Sequence, residues 1–449
     1  MENKLANNSK YFYSVRDRLA IFIASLFYFC SLTYVLKECA SKVWYMYGFS
    51  FGSISYLDIL LIIINISITS FFVPIKIDKP SSLFLIINYL FVIIPSFSCM
   101  FGFEREFEGL YYLLSVIISM SFSLSCYLVN IFNFKNSDRI ERNSVRNLLF
   151  LSWLLLALFL YYRFGSIMKI SHLDDIYKQR VQGSAKDLYE GYAQVYFQYV
   201  FSPALIVLGL NRKKILLIFL GMLGALISYM ITAEKAGIMF PLFIIAMYFS
   251  SIYKSKIFSS TIFIAIIFAI VNYCSIYART FSGSADFISW YFAMRSLIIP
   301  GGMIVYYYDY FGEHGFTYLS NIRGLDSLIS VPLYYYNDPR WPSLGLIIGE
   351  EYLNYPTLNS NANFVASDAI AGFGLLGIPI MMSTFTAFLL VLDWVTRGIR
   401  NQLRLPILVP LALTLTNGSL FTVITSFGGA FWVFYFSFFR KKGDLTNYF

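Results

Sequence analysis

The sequence predicts an all-α protein, a polytopic integral membrane protein of about twelve transmembrane helices, allowing about 20 apolar residues per span, with one large loop on its outer side. Three observations carry that expectation. The chain is 58% hydrophobic and 13% charged, where soluble globular proteins carry roughly 25% charged residues. A soluble domain of this length has nowhere to hide so much apolar surface. The apolar residues also fall into long runs separated by short polar joints, and the 20% aromatic content suits the Trp and Tyr belts of membrane interfaces. The formal charge of +9 is better explained by basic residues kept in joints on one side of a membrane than by a nucleic-acid partner.

In order, the runs are Leu19–Leu36, Tyr56–Val73, Leu83–Met100, Leu110–Asn130, Leu148–Phe164, Tyr192–Leu210, Ile215–Thr232, Gly237–Tyr253, Ile257–Tyr277, Ala369–Leu392, Leu405–Phe421 and Thr422–Phe439. The first reads as a retained helix, because no small-residue cleavage site follows it. The last two share little chain, and only the turn signal Asn417-Gly418 divides them. No internal repeat or second soluble domain interrupts the series, so residues 1–449 form a single membrane domain.

Orientation follows from Lys and Arg. With the N-terminus inside, every short inner joint is basic: Arg16 and Arg18, Lys76 and Lys79, Arg139 to Arg146, Arg212-Lys213-Lys214, Lys254 and Lys256, Arg397 to Arg404, and Arg440-Lys441-Lys442. An outer joint such as FGFEREFEG, from Phe101, is acidic. The positive-inside rule then puts both termini in the cytoplasm, and the loops 163–191 and 278–368 outside. Trp290–Tyr308 is apolar enough to cross, which would reverse everything after it. Its Arg295 and central Pro300-Gly301-Gly302 argue instead for a re-entrant or interfacial segment.

Chemistry is expected in the outer joints. Loop 163–191 is densely charged and places Arg180 eleven positions before Gly191, with ten residues between them. The tight turn Thr232-Ala233-Glu234-Lys235-Ala236-Gly237 sets a Lys at a helix N-terminus, where free N–H groups and the helix dipole favour phosphate; a snorkelling Lys paired with Glu234 is the plainer alternative. Arg279 sits where a span leaves the membrane, at head-group depth, and guanidinium grips phosphate bidentately. The long loop adds Arg295, Arg323 and Arg340, the carboxylates Glu350 and Glu351, His314, and clusters of Tyr at 306–308 and 334–336. Aromatic faces with hydroxyl handles suit sugar rings, although an interfacial belt has the same composition. It ends in Asn359-Ser360-Asn361-Ala362-Asn363, followed by Ser367-Asp368. The cysteines Cys30, Cys39, Cys99, Cys126 and Cys274 form no CxxC pair and read as free thiols in apolar runs. With only His172 and His314, no His-rich metal site is expected. Nothing in the chain calls for a cofactor.

Taken together, these features resemble the O-antigen (oligosaccharide repeat-unit) polymerases of Gram-negative bacteria, the Wzy type. The likeness covers nearly the whole chain: the span number, both termini inside, and one dominant periplasmic loop late in the sequence. Arg180 with Gly191, the turn TAEKAG from Thr232, and NSNANFVASDAIAGFGLLGIP from Asn359 are similar to that family's local features. Two features depart from it. No Arg of the long loop has a Gly eleven positions on, and the His that some relatives carry before the Asn-rich segment is missing.

The resemblance implies a glycosyltransferase of the bacterial inner membrane. It would join a glycan carried on undecaprenyl diphosphate to a second lipid-linked repeat unit, with a chain-length regulator protein as a further partner. It assigns Arg180, Lys235 and Arg279 to the diphosphates, Arg295, Arg323 and Arg340 to diphosphate or glycan, and Glu350 or Asp368 to the acceptor proton. A lipid-linked oligosaccharide flippase and an O-antigen ligase are the rival readings.

Overall fold

The computed structural model describes residues 15–43, 49–104, 108–132, 134, 139–140, 143–170, 176–185, 187–253, 257–282, 289–356 and 358–441. Helix dominates. Among the described residues, seven helices are long and apolar enough to cross a membrane: Val15–Ala40, Pro80–Gly102, Tyr111–Ile131, Arg146–Ile167, Leu188–Arg212, Ile215–Thr232 and Val365–Thr396. Three shorter apolar helices, Tyr56–Phe72, Gly237–Ile252 and Thr261–Tyr277, accompany them. The difference from the expected number lies partly at the C-terminal end. There, two expected spans are realised as the pieces Asn401–Thr414, Leu420–Thr425 and Gly429–Ser437. The longest of these has 14 residues, or roughly 21 Å at 1.5 Å per residue, against a hydrocarbon core of about 30 Å.

We number the helices used below in chain order: α1 Val15–Ala40, α2 Tyr56–Phe72, α3 Pro80–Gly102, α4 Glu108–Ile131, α5 Asn143–Phe164, α6 Ile176–Gly183, α7 Leu188–Arg212, α8 Ile215–Thr232, α9 Lys235–Ile252, α10 Thr261–Ser282, α11 residues 289–314, α12 Leu344–Leu353, α13 residues 365–373, α14 Gly377–Thr396, α15 Asn401–Thr414, α16 Leu420–Thr425 and α17 Gly429–Ser437. Local signals start and stop several of them. Ser55 and Asp58 form a capping box at α2, and Pro80 occupies the first turn of α3, where its missing N–H costs nothing.

The basic joints gather at one end of the bundle. Arg18 donates to the Val73 carbonyl at 2.6 Å, Lys76 bridges to Ser260, and Lys79 reaches the Val129 carbonyl at 2.8 Å. Arg404 reaches the Asp78 carbonyl at 3.2 Å. The strands β1 Arg139–Ile140 and β2 Arg440–Lys441 pair there in antiparallel fashion. Joints of the other set meet at the opposite, acidic end, as in Gly52 N–H to the Gly102 carbonyl at 2.9 Å and the Tyr111 hydroxyl to Asp309. The core between the ends is mainly apolar, from Tyr28 and Leu32 on α1 to Trp432 on α17, with polar groups such as Asn65, Ser115 and Ser119 hydrogen-bonded to one another inside it. Cys39, Cys99 and Cys126 are buried in it as free thiols, whereas Cys30 and Cys274 lie on exposed helix faces.

Two helices have described starts partway through the bundle rather than at an end, α11 being described from residue 289. On α11, Phe292 meets Phe268 edge-on at 5.3 Å, and Phe268 also meets Tyr28 and Phe91, midway along their helices. Further on, Tyr306 stacks on Phe103 at 5.9 Å, and Asp309 pairs with Tyr111 at the acidic end. Described α11 therefore climbs from mid-level to that end. Pro300-Gly301-Gly302 does not break it: Pro300 sits in the first turn of the α-helical part. A Cβ at Gly301 would collide with the Pro95 backbone, so glycine lets the two helices close up.

The second such helix is α13. Asn363 caps its N-terminus, its Oδ1 accepting from the Val365 N–H at 3.1 Å while its Nδ2 donates to the Pro300 carbonyl at 2.8 Å. Phe364 packs on Phe385, well along α14, at 5.0 Å. The chain turns at Gly374, at φ +62°, a conformation that only glycine adopts without cost. α13 and α14 thus form a tight helical hairpin inside the span Val365–Thr396.

Candidate functional site

At the acidic end, the short helix α6 lies across the tip of α8. A Cβ at Gly183 would collide with the Ile231 carbonyl, so only glycine permits this approach. Gln179 donates to the carbonyls of Lys169 and Met230 and fixes the helix in place. Arg180 then reaches the turn after α8, where its Nη2 donates to the Ala233 carbonyl at 3.4 Å. Ala233 closes α8 in the left-handed region at φ +50°, and α9 starts two residues later.

Glu234 in that turn accepts from Gln198 Nε2 at 3.1 Å and the Tyr199 hydroxyl at 3.4 Å. Both donors come from the π-helical turn Phe197–Phe201 of α7, a local widening that often accompanies functional positions. The Tyr199 ring is held edge-on between Phe240 at 5.1 Å and Phe427 at 4.7 Å. The corner therefore sets a guanidinium, a carboxylate and the first N–H groups of α9 around one turn, an arrangement suited to orienting a polar anionic group. Lys235 opens α9, but its side chain lies outside the described residues.

The long loop folds as a cap on α11 and is organised around a second charged cluster. Arg340 holds Asp338 through Nε to Oδ1 at 2.9 Å and Nη2 to Oδ2 at 2.8 Å. Its Nη1 reaches Glu350 at 2.9 Å and Glu351 at 3.0 Å. The guanidinium holds the Asp338 carboxyl below its ordinary pKa, and the same pairing pushes Arg340 up. Arg340 and Glu350, singled out separately in the sequence, belong to one ion-pair network ten residues apart in sequence.

The remaining residues are dispersed. Asp368 is fully buried; its Oδ2 accepts from the Leu420 N–H at 2.6 Å and its Oδ1 from the Ser367 hydroxyl at 3.1 Å. The carboxylate thus caps α16 and ties the α13–α14 hairpin to the C-terminal helices. Arg295 on α11 and Arg323 in the cap are exposed; neither shares a hydrogen bond or ion pair with the other singled-out residues that are described. Arg279 lies on α10, with its side chain outside the described residues.

The tyrosines divide. Tyr306 stacks between Phe103 and Tyr352, Tyr310 stacks on His314 at 4.2 Å, and Tyr335 stacks on Trp341 while donating to the Gly315 carbonyl at 2.7 Å. These pack the cap onto α11. Tyr334, Tyr336 and Tyr355 stay exposed. Burial raises the pKa of Tyr335 and Tyr352, so both stay protonated. Among the described residues, His, Cys, Asp and Glu form no group of three or more that could hold a metal ion.

Gln179, Gln198, Tyr199 and Asn363 were missed as site or framework residues in the sequence. Only Asn363 carried a signal, as part of the Asn-rich segment.

Compared with known proteins, the chain matches no family model, no curated protein and no solved structure. The class defined by the fold is a multi-helix membrane protein with a folded cap at its acidic end.

Proposed function

We propose that the protein is a membrane glycosyltransferase. It polymerises undecaprenyl-diphosphate-linked oligosaccharide repeat units at the periplasmic face of a bacterial inner membrane, crossing that membrane about twelve times at about 20 residues per span, with both termini cytoplasmic. The observation that carries the reading is the meeting of Arg180 with the Ala233-Glu234-Lys235 turn. Two outer joints, 53 residues apart, converge at one corner where a lipid diphosphate could be held.

In this reading a hydroxyl of the acceptor sugar attacks the anomeric carbon of the donor. The bond from that carbon to the phosphate oxygen breaks, and lipid diphosphate leaves with the electron pair. The charge that develops on the leaving oxygen is met by Arg180, Lys235 and Arg279, since fixed charge aimed at the transition state is commonly the largest catalytic term. Arg295, Arg323 and Arg340 serve diphosphate or glycan. Of the two carboxylates assigned to the acceptor proton, Glu350 is the accessible one, with its side chain 43% exposed against 0% for Asp368.

The test is elongation by purified protein supplied with lipid-linked repeat units. Arg180→Ala should slow it by about 100- to 1,000-fold, the typical loss of an electrostatic donor, with folding intact. An undiminished ladder of products would remove Arg180 from the mechanism. A second reading, a flippase for the same lipid-linked units, is favoured by one observation. The helix α13 starts at mid-level and touches α11 through Asn363 and Pro300, as discontinuous helices do in transporters. In proteoliposomes, translocation of the lipid-linked unit without elongation would decide for it.

A further inference from the structure

At the basic end of the bundle a cavity of about 170 Å³ opens between the α2–α3 joint, the end of α4 and the α14–α15 joint. It is more than ten times the roughly 10–15 Å³ that admits a single water. Lys79, Arg397 and Arg404 line it, together with Asp78 and Asp393. The carboxylates are already engaged. Asp393 accepts from the Ser81 N–H at 2.9 Å, the Ser81 hydroxyl at 2.6 Å and Lys79 at 3.3 Å, and Asp78 accepts from the Ser82 hydroxyl at 3.2 Å. Arg404 donates to Asn401, to the Thr396 carbonyl and to the Asp78 carbonyl.

Arg397 stands differently. Its guanidinium lies over the Trp394 ring, 5.3 Å from the centroid, and its Nε is buried without a hydrogen-bond partner. A buried donor without an acceptor is uncommon enough to need an explanation. Here it belongs to a planar fork suited to two phosphate oxygens, with two further cations on the same cavity wall.

We propose that this cavity binds the phosphate of an anionic phospholipid headgroup. A lipid is favoured over free phosphate by the rim, where Phe132 and Trp394 are each about half exposed and offer apolar surface next to the cations. Basic pockets between helices on the cytoplasmic side of a membrane commonly take such headgroups. Arg397 supplies the bidentate grip from its seat on Trp394, and Lys79 and Arg404 supply point charge.

The experiment uses the full chain in nanodiscs of phosphatidylcholine with and without phosphatidylglycerol, followed by detergent extraction and native mass spectrometry of retained lipid. Wild-type protein should retain phosphatidylglycerol over phosphatidylcholine by about tenfold, roughly 1.4 kcal/mol. Arg397→Gln should bring that ratio near parity. Arg397→Lys, which keeps the charge and loses the fork, should fall between, and it serves as the test if the Gln variant does not fold. Arg400→Gln removes an exposed charge from the same joint, outside the cavity, and should leave the ratio unchanged. Equal losses in Arg400→Gln and Arg397→Gln would overturn the site in favour of diffuse charge attraction. Retention by well-folded Arg397→Gln at the wild-type ratio would overturn it as well. Thermal protection by inorganic phosphate, with no preference between the two lipids, would overturn the lipid assignment.

Discussion

At the residue scale, the molecule spends its buried polar groups on joining distant segments. Asn363 is the clearest case, since one amide caps α13 and satisfies the Pro300 carbonyl. Asn363→Ala should destabilise the protein by about 1–3 kcal/mol, because buried partners are left unpaired; a thermal midpoint in detergent equal to wild type would contradict this. Asp338 gives a pH dependence of definite sign. Its folded-state pKa is lowered by Arg340, so the stability it contributes is present above the unfolded value and is lost as pH falls through the folded one. Hydrogen exchange over 338–353 should stay slow at mildly acid pH and rise only below the ordinary Asp range of about 4. Loosening already at neutral pH would mean that another group holds the cap. Such pairings were not legible in the sequence. Arg340 and Glu350 read as a cation and a base with separate jobs, because nothing in local pattern announces a pair ten residues apart. Arg180 and the turn from Thr232 to Gly237 were each singled out in the sequence, but no spacing announced that they would meet.

At the scale of elements, composition exposed most long helices but not the depth at which two of them lie. Trp290–Tyr308 is as apolar as a span, and hydropathy reports burial rather than depth. The level of α11 is set instead by Phe292 on Phe268 and Asp309 on Tyr111, contacts between residues far apart in the chain. The C-terminal pieces fall short of spans; α15 carries Pro406 and Pro410 inside it, each of which removes a backbone hydrogen bond. The α13–α14 hairpin yields a test that separates structure from catalysis at Asp368. If the carboxylate serves as the cap of α16, Asp368→Asn should lower the thermal midpoint, by about 0.5–2 kcal/mol in stability, and leave the elongation rate of the folded fraction within about tenfold. Complete loss of turnover in a stable Asp368→Asn protein would return Asp368 to the role of proton acceptor.

At the scale of the whole molecule, the two ends differ in charge and in build. The basic end is closed by short contacts among joints, from Arg18 on Val73 to the paired strands at Arg139 and Lys441; the acidic end carries the cap. The proposed orientation can be read directly in spheroplasts. In a background without native cysteines, Leu328→Cys, on the exposed cap, should react with a membrane-impermeant maleimide from outside. Arg400→Cys, at the exposed basic end, should react only after lysis. Equal labelling of both from outside would remove the assigned topology and, with it, the polymerase reading.

The helix α16 has only 6 residues, yet it touches both halves of the acidic end. Its first turn is pinned by Asp368. Its last residue, Thr425, offers its carbonyl to the Tyr196 hydroxyl at 3.3 Å, and Phe427 just beyond it packs on Tyr199, which in turn holds Glu234 beside Arg180. One short helix thus carries an unbroken series of contacts from the hairpin at Asp368 to the corner at Glu234, so the two halves of the acidic end share a single brace.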